Sequence, residues 1–246
     1  MSDLISAADL ASFREKGFFI TKPMFSAAEL KGVRDEFDRL WAEAVADAEK
    51  SGDQKLISFT KNRPFVGQAH TRSPLLVDFV KSPIYLEACA KLIGADADLY
   101  YNQAVLKVPE IGKRFGWHQD TGYLVTDPLE YVTAWTAIGP ATLENGCIWV
   151  LPGSHKRGPL THVRNEAENS LDVPVDDESG AIPVEVEAGQ VVIFNALLLH
   201  KSGPNTSKSV RYAYVPQYHV PKVKEKATGQ LTGDQFHVLR DGKRVS

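Results

Sequence analysis

The chain has 246 residues, 43% of them hydrophobic and 24% charged, and a net charge of −3 at pH 7. That length builds a sizeable core, and an all-β barrel or sandwich of this size is commonly one domain. The slight acidity argues against nonspecific nucleic-acid binding, which needs a basic surface, and no apolar run reaches the ~18–20 residues of a membrane span. Met1-Ser2-Asp3-Leu4-Ile5 lacks the basic region and apolar stretch of a secretory signal. Cys89 and Cys147 make neither a disulfide framework nor a Cys-x-x-Cys zinc pair. Reduced thiols and a cytoplasmic location are therefore expected.

Helices dominate the first 95 residues. Ser6 caps a predicted helix over Ala7–Lys16, and Gly17–Ile20 predicts a first strand. Ser26-Ala27-Ala28-Glu29 is a capping box. The helix it opens carries Leu30, Val33, Phe37, Leu40, Trp41 and Val45 as one apolar stripe and stops at Ser51-Gly52-Asp53. Arg63–Ser73 reads as loop. Helices follow near Pro74–Val80 and Pro83–Ile93, each opened by proline, the second closed by Gly94.

The character changes at Leu99. Leu99–Val108, Tyr131–Ile138, Gly146–Leu151, Ile182–Val186, Gln190–Phe194 and Val210–Gln217 are rich in β-branched and aromatic residues and bounded by Gly, Pro, Asn and Asp. Short strands without interleaved helices predict a mainly β, double-sheet jelly roll. His162–Gly180 is polar and acidic and reads as a long insert. Phe236–Arg240 and Lys243–Val245 flank Asp241-Gly242, a type I′ hairpin signal. The expected organisation is one domain over 1–246: a helical part (1–95), a jelly-roll core (96–220) and a C-terminal extension (221–246).

Chemistry concentrates in two segments. His118-Gln119-Asp120 is a His-x-Asp, and His200 lies far downstream, followed eleven residues later by Arg211. In extended chain, residues i and i+2 point the same way, so His118 and Asp120 can share a metal while Gln119 faces away. With His200 they make the ligand set of a 2-His-1-carboxylate facial triad, which suits Fe(II) and leaves positions open for a cosubstrate and O₂. A lone histidine is more often a satisfied core or surface residue, and the trio together is what favours a metal. Arg211 alternates with Ala213 and Val215 on a face that is otherwise apolar. A buried arginine needs a partner, and a carboxylate supplies one through two hydrogen bonds.

These residues occur in a series that resembles the phytanoyl-CoA dioxygenase family of Fe(II)/2-oxoglutarate-dependent oxygenases. The matching pieces are His118-Gln119-Asp120, Ala134-Trp135-Thr136-Ala137, Asn145-Gly146-Cys147, Leu151-Pro152-Gly153-Ser154-His155-Lys156 and His200-Lys201-Ser202-Gly203, in order. The resemblance spans about Leu99 to Val220. It implies a double-stranded β-helix, cupin-like, with the N-terminal helices packed on one sheet. It implies His118, Asp120 and His200 as Fe(II) ligands and Arg211 and Ser202 as partners of the far carboxylate of 2-oxoglutarate. Trp135 would line the cosubstrate pocket and Gln103 would touch the cosubstrate from the preceding strand. The implied reaction consumes O₂ and 2-oxoglutarate, releases succinate and CO₂, and hydroxylates an unactivated C–H of a small metabolite.

Desaturation, epimerisation or ring formation by the same site, and a noncatalytic metal-binding jelly roll, stay open. Halogenation is disfavoured because Asp120 keeps its carboxylate. Phe115, Trp117 and Tyr123 are candidate walls of a substrate pocket, whereas His155 is not expected to be a fourth ligand and His70, His162, His219 and His237 receive no role. Three segments (61–72, 111–116 and 160–180) are the expected mouth. Lys61, Arg63, Arg72, Lys107, Lys113, Arg114, Lys156, Arg157 and Lys201 lie on or near the mouth, which predicts a substrate with a negative group, the alternative being a solvated surface. No nucleic-acid or membrane partner is expected, and the sequence leaves the oligomeric state open.

Overall fold

The computed structural model describes residues 3–62, 64–109, 114–129, 131–166, 170–233 and 236–246. Helix α1 (Ala7–Lys16) opens on a capping box in which the Ser6 hydroxyl accepts from Asp9 N–H and the Asp9 carboxylate accepts from Ser6 N–H. Strand β1 (Phe18–Ile20) follows. Helix α2 (Ala27–Ser51) has the expected box at Ser26 and Glu29 and ends on left-handed Gly52. Helix α3 (Gln54–Asn62) was not expected; its first turn is satisfied by the Asp53 carboxylate. Nor does all of 63–73 stay loop. β2 (Phe65–Gly67) pairs with a later strand, and a 3-10 turn covers Ala69–Arg72, while Arg63 lies outside the described residues. α4 (Pro74–Phe79) and α5 (Pro83–Leu92) have proline in their first turns.

The strands run β3 (Ala97–Lys107), β4 (Phe115–His118), β5 (Thr126–Asp127), β6 (Val132–Ala137), β7 (Ile148–Val150), β8 (Val163–Asn165), β9 (Ser170–Asp172), β10 (Ile182–Val184), β11 (Val191–Asn195), β12 (His200–Ser202) and β13 (Arg211–His219). β14 (Lys224–Glu225), β15 (Phe236–Arg240) and β16 (Lys243–Arg244) complete the chain. The major antiparallel sheet has the order β1-β11-β6-β13-β3-β15-β16, with β2 also on β3. The minor sheet is β10-β7-β12-β4. The final hairpin turns on Asp241 and Gly242, both at positive φ as a type I′ turn requires. The 162–180 insert carries its own hairpin, β8 with β9, tied to β4 by Val173 N–H to the Trp117 carbonyl at 2.6 Å.

Two apolar layers follow from strand alternation. On β6, Val132 and Ala134 join Leu30, Phe37, Leu76, Tyr85 and Tyr214 in a core between the helices and the major sheet. The alternate residues Trp135 and Ala137 join Phe18, Ile148, Val150, Phe194, Ala213 and Val215 between the two sheets. This is the jelly roll with helices on one sheet that the sequence implies. The tyrosines of the helix-facing layer are satisfied. Tyr85 bonds Thr136 at 2.7 Å, Tyr214 donates to Asn102 at 2.8 Å and Tyr218 donates to the Val80 carbonyl at 2.7 Å. The space between the sheets is therefore stiffly backed on one side, and the functional side chains project into it.

Candidate active site

β4 and β12 are neighbours in the minor sheet, and their register sets His118 directly against His200. Asp120 follows β4 at the start of a 3-10 turn. One donor atom from each of His118, Asp120 and His200 lies within 4.8 Å of the other two. The imidazole centroids are 4.1 Å apart, and His200 Nε2 is 3.5 Å from Asp120 Oδ1. Each ring is fixed by a carbonyl, which can only accept. His118 Nδ1 donates to Gly116 O at 2.9 Å and His200 Nδ1 donates to Leu198 O at 2.9 Å. Both Nε2 lone pairs are thus turned to the common centre, the tautomer a metal needs. Burial, with His200 alongside, holds the His118 imidazole below its ordinary value against the opposing pull of Asp120.

Two positioning devices carry no motif of their own. Thr133 on β6 donates to Asp120 Oδ2 at 2.5 Å, leaving Oδ1 for the centre. Thr133 shares the inward phase of Trp135, and that alternation was the available signal. Gln119 does face away, and it is fully buried there. Its Nε2 donates to Gly158 O at 2.9 Å and Leu197 O at 2.8 Å, and its Oε1 accepts from Leu160 N–H at 2.8 Å. The Gln119 N–H donates to His162 Nε2 at 3.0 Å. His162, given no role from sequence, thus clamps the backbone between His118 and Asp120. His155 lies elsewhere, its Nε2 on the Arg14 carbonyl at 3.2 Å.

Arg211 opens β13 with 2% of its surface exposed. Its Nη1 donates to Gly146 O at 2.7 Å, its guanidinium lies 5.2 Å from the Trp135 ring centroid, and its buried Nε has no partner. Burial pushes its pKa down to about 10, so it stays charged at neutral pH. No ion pair to Arg211 occurs among the described residues. A buried cation with an orphaned donor is chemically suited to a carboxylate partner. Ser202 is beside it in the same cavity, its oxygen accepting from Lys107 Nζ at 2.8 Å.

The cavity holds about 700 Å³ and is lined by the triad, Arg211, Ser202, Trp135 and Gln103, so all seven sequence-predicted site residues meet in one place. Phe115 and Tyr123 are on its wall. Trp117 is not: it alternates with His118, points to the other face of β4 and packs with Leu151, Val173 and Leu199. The cations expected at the mouth do not gather there either. Lys61 pairs with Glu49, Arg72 with Glu43 and Lys201 with Glu178, and of the described ones only Lys201 lines the cavity. Arg63 and Lys113 lie outside the described residues.

The family model of phytanoyl-CoA dioxygenase (PhyH) matches residues 13–213. The chain belongs to the phytanoyl-CoA dioxygenase family. A relative called phytanoyl-CoA dioxygenase, from Arabidopsis thaliana, is 31% identical over 175 residues, 70% of this chain and 60% of the relative. The chain thus spans less than two thirds of that relative's length. Among solved structures, the non-heme monooxygenase ThoJ superposes with a TM-score of 0.73 at 24% identity, covering 95% of this chain and 87% of ThoJ. EvdO2 from Micromonospora carbonacea var. aurantiaca, solved with 2-oxoglutarate, gives 0.71 at 23%, covering 92% and 95%. These likenesses bear on the fold. The donor set of this phytanoyl-CoA dioxygenase family member fits Fe(II), with two neutral imidazole nitrogens and one carboxylate oxygen around an open centre. The orphaned Arg211 fits the far carboxylate of 2-oxoglutarate.

Proposed function

We propose that the protein is an Fe(II)- and 2-oxoglutarate-dependent dioxygenase that hydroxylates an unactivated C–H of a small metabolite. The observation that carries this reading is Arg211, a buried and incompletely bonded cation facing the cavity that holds the His118, Asp120 and His200 donors. A metal kept only for structure has no use for it.

His118 and His200 would offer neutral Nε2 and Asp120 would offer Oδ1, each locked by a hydrogen bond on its other side. Arg211 and Ser202 would hold the far carboxylate of 2-oxoglutarate, and Trp135 and Gln103 would wall its carbon chain. Fe(II), when bound with 2-oxoglutarate and O₂, supplies oxidising chemistry that yields succinate, CO₂ and a hydroxylated product. The residues around it place the substrate C–H and keep water out. The test is anaerobic titration of Fe(II) and 2-oxoglutarate, followed by their charge-transfer absorption, then succinate release on adding O₂. His118→Ala and His200→Ala are expected to abolish both signals. Arg211→Ala is expected to weaken 2-oxoglutarate by about 2–5 kcal/mol while leaving iron binding in place. Unchanged iron affinity in both histidine variants ends the reading.

A further inference from the structure

We propose that the end of the cavity away from Arg211 takes an uncharged, oxygen-bearing ring compound whose polar edge is read by Gln217 and Tyr131. This deepens the reading above and rests on it. The β13–β3 ladder serves as a ruler. Arg211 pairs with Lys107 at one end and Gln217 pairs with Tyr101 at the other. Six residues separate Arg211 from Gln217, about 20 Å of strand. Thr133, which holds Asp120, pairs with Gln217 from the other side. A five-carbon diacid seated on Arg211 and reaching the triad therefore leaves the Gln217 end to the substrate.

That end is built for a ligand. Gln217 is 7% exposed and Tyr131 3%; both line the cavity, and neither side chain has a hydrogen-bond partner among the described residues. Their polar ends open on the cavity rather than being sealed from solvent, so a molecule that displaces the cavity water must supply their hydrogen bonds. A phenol is protonated at neutral pH and can donate, while the amide both donates and accepts. A register shift between Gln217 and Tyr218 makes Tyr100 the extra residue of a bulge, so two successive tyrosines, Tyr100 and Tyr101, both line the cavity. The Tyr100 and Tyr131 ring centroids are 5.2 Å apart, and Phe65 also lines the cavity. Flat rings are what such walls bind by stacking.

Charge separates this class from an anionic one. Outside the triad, the charged side chains lining the cavity among the described residues are Arg211 and Lys201. Arg211 is reserved for the cosubstrate and Lys201 pairs with Glu178. A carboxylate, sulfonate or acyl-CoA phosphate finds no unpaired cation there among the described residues.

The experiment measures equilibrium binding to the full-length protein loaded with Ni(II) and 2-oxoglutarate, where no turnover occurs. The probes are 2-(hydroxymethyl)anthraquinone, anthraquinone-2-sulfonate and decanoyl-CoA. The neutral quinone is expected to bind at least about tenfold more tightly than either anion, the scale of one lost buried hydrogen bond or desolvated charge. Gln217→Met and Tyr131→Phe are each expected to weaken it by about tenfold, with 2-oxoglutarate affinity unchanged as the check on folding. Equal or tighter binding of an anion, loss of the quinone altogether, or full quinone affinity in both variants overturns the assignment. If 2-oxoglutarate itself fails to bind the wild type, the reading of the active site has failed instead.

Discussion

At the scale of single residues, Lys107 extends the cosubstrate pocket beyond what the motifs contain. It is 3% exposed, and its Nζ donates to Ser202 Oγ at 2.8 Å and to the Gly203 carbonyl. A hydroxyl whose oxygen accepts from an ammonium keeps its own proton for another acceptor, and the acceptor due in that pocket is the far carboxylate of 2-oxoglutarate. On the proposed function Lys107 would act through Ser202 as a positioning residue. Lys107→Met and Ser202→Ala are each expected to raise the dissociation constant of 2-oxoglutarate about tenfold, with iron affinity unchanged. The double variant should be little worse than either single one, because both remove one coupled interaction. Additive losses would mean that lysine and serine act separately. The residues that meet in the cavity were legible because His-x-Asp, the distant histidine and Arg211 form a recognisable chemical pattern. Lys107, Thr133, Gln119 and His162 were not, since nothing in a sequence says which lysine is buried or which histidine meets a backbone N–H.

At the scale of elements, legibility follows length. α2, with its capping box and a stripe of about four turns, and β13, nine residues long, stand close to where the pattern puts them. β12 is three residues long and β4 four, too short for a period to register, yet they carry His200 and His118. Their pairing exists only through the sheet. Turns between elements are equally committed. Gly146 has φ +80°, and a Cβ there would sit 2.6 Å from the Gly203 oxygen and 2.8 Å from the Pro204 oxygen. Its carbonyl also receives Arg211 Nη1. Gly146→Ala is expected to destabilise the fold by about 2 kcal/mol from backbone strain and overpacking. That corresponds to a melting temperature lower by roughly 4–8 °C. It should also weaken 2-oxoglutarate, because Arg211 loses its anchor. A variant with wild-type melting and wild-type affinity would show that the 142–146 turn relaxes freely and does not position the arginine.

For the whole molecule, the active site is a place where folding energy is withheld until ligands arrive. Arg211 sits between the sheets with an unbonded Nε, and burying an unpaired cation opposes folding. Its folded pKa of about 10 lies below its ordinary value, so the native state holds the proton less tightly than the unfolded chain. The cost is fully present below pH 10 and is relieved only as pH rises through that value. Across pH 7–9 the guanidinium therefore stays charged, and its contribution to ligand-induced stabilisation is flat. With an inert divalent metal and 2-oxoglutarate at 100 times its dissociation constant, the native state gains about 2.7 kcal/mol. For a chain of this size that raises the melting temperature by roughly 5–10 °C. Arg211→Met should melt no lower than the wild type without ligands, because the substitution fills the same space without a charge to desolvate. It should also lose the part of the rise that 2-oxoglutarate adds over metal alone. The measurement is a set of melting curves for both proteins, with and without metal and 2-oxoglutarate, at pH 7 and pH 9. A ligand-free variant that melts several degrees lower would make Arg211 a structural strut through Gly146. A 2-oxoglutarate increment that survives the substitution would remove the arginine from the cosubstrate pocket.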